Sequence, residues 1–118
     1  MTDKSERGVL GEQLAAGFLI EKGYEVLERN YRHLRSEIDL VVKRDDWLIF
    51  VEVKTRTSNA FGFPEEFVDA KKKKMIFDGA DYYLFITNWS GNVRYDIVAV
   101  NLEDEAHPRI HHLEDAFY

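Results

Sequence analysis

The chain has 118 residues, of which 45% are hydrophobic and 32% charged, with no cysteine and a formal net charge of -6. This composition suits one packed domain over residues 1–118 and excludes a disordered chain, a disulfide framework and a thiolate metal site. The acidic balance also argues against a module held on nucleic acid by general basicity alone.

No apolar run approaches the ~20 residues that a membrane span requires. The first residues lack the apolar region of a secretory signal. We therefore expect a cytoplasmic protein that is not bound to a membrane.

The predicted elements begin with a helix from Ser5 to Lys22. Leu10, Leu14 and Phe18 recur there at helical spacing. Gly23 follows at a position where helices commonly end.

A strand and a β-hairpin follow this helix. Residues 24–32 alternate well enough for a strand, and the β-rich runs 36–42 and 47–54 flank a short polar stretch. This arrangement predicts two antiparallel strands with a tight turn at Asp45 and Asp46.

The remaining sequence predicts a loop, a second helix and two strands. Residues 58–66 form the loop, in which Pro64 occupies a favoured first helical position, and helical spacing continues from Glu65. A turn cluster ends this helix. The two strands are residues 93–100 and 109–113.

The predicted element order is αβββαβ with one additional short strand, which indicates an α/β fold. A crossover through a helix makes the third and fourth strands parallel, whereas the hairpin is antiparallel. We therefore expect a mixed sheet that is flanked by helices on both faces.

Acidic side chains of the hairpin are predicted to face each other. With a two-residue turn, counting back from the tip places Asp39 opposite Glu52 and Glu37 opposite Lys54. Directly opposed residues have Cβ atoms only ~4.5–5.5 Å apart, so two carboxylates repel each other unless a proton or a cation lies between them. The spacing therefore suggests a metal site.

The chemistry of these residues suits a hard divalent cation, Mg²⁺ or Mn²⁺. Such cations favour carboxylate oxygens, a backbone carbonyl and retained waters, and the candidate ligands are Asp39, Glu52 and the carbonyl of Val53. Lys54 lies two residues after Glu52, where it could orient or help deprotonate a water and stabilise charge on a phosphate.

These residues also have ordinary structural explanations. A Glu-x-Lys sequence is common on the solvent face of a sheet, and Glu37 with Lys54 could be a simple cross-strand ion pair. Glu12 aligns with small and apolar residues of the first helix. It is either a further carboxylate of the site or a surface glutamate.

The segment around these acids is net positive, with seven Lys/Arg against five Asp/Glu between Arg29 and Thr57. Four arginines are candidates for contacts to the phosphate backbone, which fix position without reading sequence. A solvated face is the alternative. The four are Arg29, Arg32, Arg35 and Arg56.

Three other features have mainly structural interpretations. Arg94 and Asp96 share a strand face and are predicted to pair with each other or with a helix end. His111 and His112 lack the spacing of a structural zinc site. The aromatic residues of loop 59–64 either stack on unpaired bases or pack locally.

Six segments between about Gly8 and Val100 resemble, in the same order, those of the YraN-like family of small bacterial proteins. Each segment is short, and their order makes the resemblance specific. The segments are GEQLAAGFL, GYEVLERNYR, SEIDLVV, FVEVKTRT, FGFPEE and RYDIVAV.

The resemblance implies a restriction-endonuclease-like fold of the PD-(D/E)xK superfamily, similar to archaeal Holliday junction resolvases with an αβββαβ core. It implies Glu12 as the acidic residue of the first helix, Asp39 as the superfamily aspartate, and Glu52 and Lys54 as the (D/E)xK pair. This chain departs from the family in having Ser36 where glycine is usual. Serine is acceptable there unless the backbone needs a positive φ or a close approach to the ligand.

Two functions from different classes follow from the sequence. The first is a metal-dependent nuclease that hydrolyses DNA phosphodiester bonds at branched or single-stranded structures. The second is an accessory module of DNA processing that binds nucleic acid without cutting it. A third alternative is a protein-interaction domain that uses an exposed sheet edge, for example as a homodimer.

Overall fold

The computed structural model describes residues 3–57 and 68–118, which form two helices and five strands. The predicted order of elements, including the fifth strand, is confirmed. Within these ranges, no helix combines the length and the apolar character needed to cross a membrane. The elements are α1 (Lys4–Glu21), β1 (Glu25–His33), β2 (Ser36–Arg44), β3 (Trp47–Arg56), α2 (Ala70–Thr87), β4 (Asn92–Asn101) and β5 (Arg109–Leu113).

The five strands form one mixed sheet in the order β1-β2-β3-β4-β5. Three neighbouring pairs are antiparallel, and the central pair of β3 and β4 is parallel. The parallel pair arises because α2 returns the chain to the end of the sheet at which β3 began. The predicted mixed sheet is thus confirmed.

Each face of the sheet is covered by one helix. Ala15, Ala16 and Leu19 of α1 pack in one apolar core with side chains from β2, β3 and β4. Ile76 and Ala80 of α2 pack in a second core on the opposite face. Small residues at these helix positions let the helices lie close to the strands, as predicted for a sheet between two helices.

Aspartates set the first residues of both helices. Asp69 accepts a hydrogen bond from the N–H of Lys72, at 2.8 Å, so α2 begins at Ala70 rather than at Glu65. The predicted helix start is therefore wrong. The predicted loop 58–66, with its proline and aromatic residues, lies outside the described residues.

Candidate functional site

The pairing of β2 with β3 stops at the candidate acids. Over its described length the ladder keeps the predicted register and ends at Leu40 and Val51. Beyond this point β3 remains paired with β4 as far as Arg56, whereas β2 is paired only with β1. The two strands therefore separate where Asp39 and Glu52 come next.

The side chains of β2 change face just before Leu40. Leu40 packs in the core beneath α1, whereas Ile38 packs in the core beneath α2. Strict alternation would put both on one face, and the predicted pairing of Glu37 with Lys54 is wrong for this reason. Glu37 instead lies beside β1, with its Oε1 3.5 Å from Nη2 of Arg32.

Asp39 is held at this fork by the backbone of β3. Its Oδ2 accepts a hydrogen bond of 2.7 Å from the N–H of Val53. The contact keeps Asp39 beside Glu52 although their strands no longer pair. Val53 thus enters the site through its N–H, and the role of its carbonyl as a metal ligand stays a prediction.

Glu52 is a buried acid, with only 5% of its surface exposed. Burial is the main cause that raises its pKa to about 8, and the negative charge of Asp39 and a hydrogen bond between the two side chains add to the shift. The charges of Lys72 and Lys54 act in the opposite direction. The protonated form of Glu52 is therefore favoured beside Asp39.

One oxygen of Glu52 is left without a hydrogen bond. Among the described residues, Oε2 has no hydrogen-bond partner, and Nζ of Lys72 lies 3.6 Å away. A buried polar oxygen without full compensation is energetically costly. Its position marks a place where a cation would lower the free energy of the site.

Glu12 reaches the same region because α1 approaches β3 closely at Gly11. A Cβ atom on Gly11 would collide with Oγ1 of Thr55. Partial burial, followed by the charge of Asp39, raises the pKa of Glu12, and a hydrogen bond with Asn30 partly offsets this shift. Of the two interpretations of Glu12, the structure favours a carboxylate beside the acids over a solvated surface glutamate, while its role in catalysis stays a prediction.

These residues line a cleft of about 550 Å³ between the start of α1 and the end of β3. The cleft brings together all four residues that the sequence singled out for catalysis, although β2 and β3 are no longer paired where the two acids lie. Its lining consists of Lys4, Arg7, Gly8, Glu12, Asp39 and residues 52–57.

The donor set of the cleft fits a divalent cation held by two carboxylates. Asp39 and Glu52 are adjacent, and the unsatisfied oxygen of Glu52 provides a ligand atom that is already free of other hydrogen bonds among the described residues. Within residues 3–57 and 68–118, no three Asp, Glu or His side chains are preassembled as a metal-binding group. A cation would therefore complete its shell with backbone oxygen or water, as Mg²⁺ commonly does.

Comparison with known proteins places this chain in a family. Residues 11–100 match the Uncharacterised protein family UPF0102. The chain belongs to UPF0102. The matched range includes Glu12, Asp39, Glu52 and Lys54, so the family match spans the whole acidic cluster.

Relatives in UPF0102 cover nearly the whole chain. A UPF0102 protein of Cytophaga hutchinsonii is 42% identical over 99 residues, which are 84% of this chain and 88% of the relative. One of Clostridioides difficile is 40% identical over 116 residues, or 98% of this chain and 99% of the relative. One of Alkaliphilus oremlandii is 43% identical over 114 residues, or 93% and 96% of the two chains.

The four candidate phosphate-binding arginines of this UPF0102 protein are not gathered in one place. Arg56 lines the cleft with the acids, whereas Arg35 lines a second cleft between the tip of the β1–β2 hairpin and α2. Arg32 is exposed and paired with Glu37, and Arg29 is exposed on β1. Any contact of these residues with nucleic acid stays a prediction.

Sequence analysis missed Lys72 as a member of the site. In a parallel crossover the connecting helix runs against the strands, so its first turn lies near the end of the strand that precedes it. That rule would have placed the four consecutive lysines Lys71 to Lys74, at the start of the second helix, near Glu52. The contact with Glu52 selects Lys72 from this cluster.

The predicted pairing of Arg94 with Asp96 is confirmed. Both Nε and Nη2 of Arg94 donate to the fully buried Asp96, at 2.8 Å each. Burial acts to raise the pKa of Asp96, but hydrogen bonds with His112, Arg94 and the N–H of Asp115 outweigh it and lower that pKa. This network joins β4, β5 and the following residues, so its role is structural.

Proposed function

We propose that this UPF0102 protein is a metal-dependent nuclease that hydrolyses phosphodiester bonds of DNA. The observation that carries the proposal is the meeting of Asp39 and Glu52 at the fork between β2 and β3, with Lys54 in the same cleft. The mixed sheet with one helix on each face also agrees with a restriction-endonuclease-like core. Branched or single-stranded DNA is the proposed substrate.

In this proposal each residue of the site has a separate role. Asp39 and Glu52 would hold Mg²⁺ or Mn²⁺, and the N–H of Val53 fixes the orientation of Asp39. A divalent cation bound there supplies positive charge against the phosphate and activation of water. Lys54 places a further positive charge beside the acids, where it can stabilise the negative charge that develops on a phosphate oxygen.

The size of the cleft suits a local segment of nucleic acid. Its volume of about 550 Å³ admits a phosphate and adjoining sugar groups but not a whole duplex. Lys4, Arg7 and Arg56 bring positive charge to its walls. Positive side chains around an acidic pair are what a phosphodiester requires, because the phosphate must approach two carboxylates.

Cleavage of end-labelled branched, nicked and linear DNA tests this proposal. We expect cleavage that depends on added Mg²⁺ or Mn²⁺ and that falls at least 100-fold in Asp39→Asn and Glu52→Gln, as for other preorganised charged groups. Asp81→Asn, on the exposed side of α2, is the matched control. Equal cleavage by wild type and Asp39→Asn would exclude catalysis at this site.

A second candidate function is a nucleic-acid-binding module that does not cut. The observation in its favour is that Lys72 already lies near Glu52 and that the described residues contain no preassembled group of three metal ligands. Salt-dependent DNA binding without turnover at any metal concentration would support this function. Absence of binding at low salt would remove both candidates.

A further inference from the structure

The turn of the β1–β2 hairpin carries an apolar residue whose exposure and backbone conformation are both unfavourable for that residue type. His33 and Ser36 form the last pair of the two strands, so Leu34 and Arg35 make a two-residue turn. Leu34 has 91% of its surface exposed and a φ of 54°. Asparagine and glycine are preferred in that backbone region, and leucine is preferred in the core.

A positively charged cleft lies directly beside this turn. It has a volume of about 750 Å³ between the hairpin and α2, and Arg35, Lys71 and Lys74 contribute positive charge to it. Asp78 pairs with Lys74 at 3.0 Å. Within the described part of the chain, Arg35 and Lys71 form no ion pair, so their charge is available to an anion.

Flat aromatic surface borders the same turn. The ring of His33 stacks on that of Tyr82, with ring centroids 3.5 Å apart and planes inclined by 8°. Tyr82 is 39% exposed, and Phe85, one helical turn further along α2, is 82% exposed. Aromatic faces next to unpaired cations are characteristic of surfaces that bind unstacked bases and their phosphates.

We propose that the tip of the β1–β2 hairpin is a wedge that unstacks nucleic acid. Leu34 inserts between neighbouring bases at a branch, nick or strand end, as exposed apolar side chains of DNA-bending proteins do. Arg35 and Lys71 bind the adjoining phosphates, and the displaced base stacks on the exposed part of the Tyr82 ring. The cations identify nucleic acid rather than an apolar protein segment as the occupant.

The position of the wedge predicts a distance along the substrate, from the point of unstacking to the phosphate that is cleaved. This part of the inference rests on the proposed nuclease function. Leu34 precedes Asp39 by five positions along the chain. A strand rises about 3.3 Å per residue, which is close to the ~3.4 Å rise of each base step. Only Ser36 to Asp39 of this stretch belong to β2. For a stacked nucleic acid strand that follows β2, the scissile phosphate therefore lies at most about five base steps from the point of unstacking.

Fluorescence of 2-aminopurine placed at the branch point of a forked DNA tests the wedge in buffer with EDTA. We expect wild type to raise the fluorescence, and Leu34→Asn to abolish the rise and weaken binding about tenfold. Leu34→Asn should keep or raise Tm, because asparagine accepts the positive φ and removes exposed apolar surface. Ile20→Asn, which removes a half-exposed isoleucine of α1, is the control and should leave the fluorescence unchanged.

The salt dependence of binding tests the two cations separately. Each of Arg35→Gln and Lys71→Gln should reduce the slope of log Kd against log salt by about one. Lys73→Gln serves as a nearby control, because Lys73 is only half-buried and does not line this cleft. Unchanged slopes in both variants would overturn the assignment of phosphate contacts.

Two results would overturn the wedge itself. One is full unstacking and full affinity in Leu34→Asn. The other is a dimer in light scattering that Leu34→Asn converts to monomer with a lower Tm, because Leu34 would then be buried against a second copy. Neither the fluorescence nor the binding measurement requires cleavage. Unstacking without turnover would therefore contradict the nuclease proposal alone. Turnover without unstacking would contradict the wedge alone.

Discussion

Nζ of Lys72 lies 3.6 Å from the buried Oε2 of Glu52. An amino group from the second helix thus partly neutralises the acid that the sequence assigns to metal binding. The arrangement makes Lys72 a positioning residue whose charge competes with a cation for the same oxygen.

Replacement of Lys72 by glutamine should therefore change the site in two measurable ways. The pKa of Glu52 should rise above about 8, because a charge that lowers it is lost. Mn²⁺ should bind roughly fivefold more tightly at pH 9, corresponding to ~1 kcal/mol for a partly exposed ion pair. NMR titration of the glutamate side-chain carboxyls and calorimetry measure the two effects, with Lys73→Gln as control; a lower pKa in Lys72→Gln would contradict the assignment.

The stability of the metal-free protein should fall as the pH rises from about 4.5 to about 8. Glu52 has a raised pKa in the folded state, about 8 against 4.5 for the ordinary group, so the folded protein binds a proton that the unfolded chain has already released. Its contribution is fully present below pH 4.5, declines by up to ~1.4 kcal/mol per pH unit, and is lost above pH 8.

Guanidinium unfolding at pH 5 to 9 with a chelator measures this dependence. Glu52→Gln should flatten the curve, because a neutral amide stands in for the protonated acid. The exposed Glu21→Gln at the end of α1 should leave the curve unchanged. A wild-type curve that stays flat through this pH interval, or an identical slope in Glu52→Gln, would show that Glu52 is ionised in the folded protein.

Binding of Mn²⁺ at pH 7 should release close to one proton per site. Glu52 is mostly protonated there because its pKa is about 8, and a cation ligates the ionised form. Calorimetry in buffers of different ionisation enthalpy counts the protons, and the count should fall towards zero at pH 9. Glu52→Gln should lose most of the binding; retention of wild-type affinity would place the cation elsewhere.

Substitution of Gly11 by alanine should separate α1 from β3. The new Cβ would meet Oγ1 of Thr55, and such overpacking costs about 1–3 kcal/mol. Gly17→Ala is a matched control, since no heavy atom lies within 4 Å of its added Cβ, and it should be neutral or stabilising by ~0.5–1 kcal/mol. Urea unfolding measures both; equal stabilities would mean that the helix shifts without cost.

The hairpin shows how far pattern reasoning reaches. Alternating apolar residues on both strands and a short polar turn fix one register, and the structure keeps that register as far as Leu40 and Val51. Beyond these two residues, the side chains of β2 no longer keep the same alternation between the two faces of the sheet. Asn30 on β1, with a φ of 52°, lies opposite Asp39 and interrupts the pairing of the two strands there. A single asparagine in a strand is too weak a sign to predict this irregularity.

The second helix shows a different kind of limit. Proline is common at the first position of helices, and this preference led to a predicted start near Glu65. Asp69 caps the helix instead by accepting the N–H of Lys72. Several residues before a helix can satisfy local start signals, and tertiary packing decides which of them is used.

Ser36, where the resemblance leads to an expectation of glycine, causes no backbone strain. The φ of Ser36 is not positive, and the residue is buried beneath Gly79 of α2. An added Cβ at Gly79 would approach the Cβ of Ser36 to 2.9 Å. The space that a serine needs on β2 is thus provided by a glycine on the facing helix, a relation that a count along one strand does not reveal.

The fork between β2 and β3 affects the order in which parts of the chain can fold during synthesis. Among residues 3–57 and 68–118, β4 is the ladder partner of β3 from Glu52 to Arg56, and β4 is synthesised only after the whole of α2. An incomplete chain on the ribosome can form the β1 to β3 meander but leaves the Glu52–Lys54 segment without a backbone partner. The candidate site would therefore stay incomplete until the fourth strand has emerged.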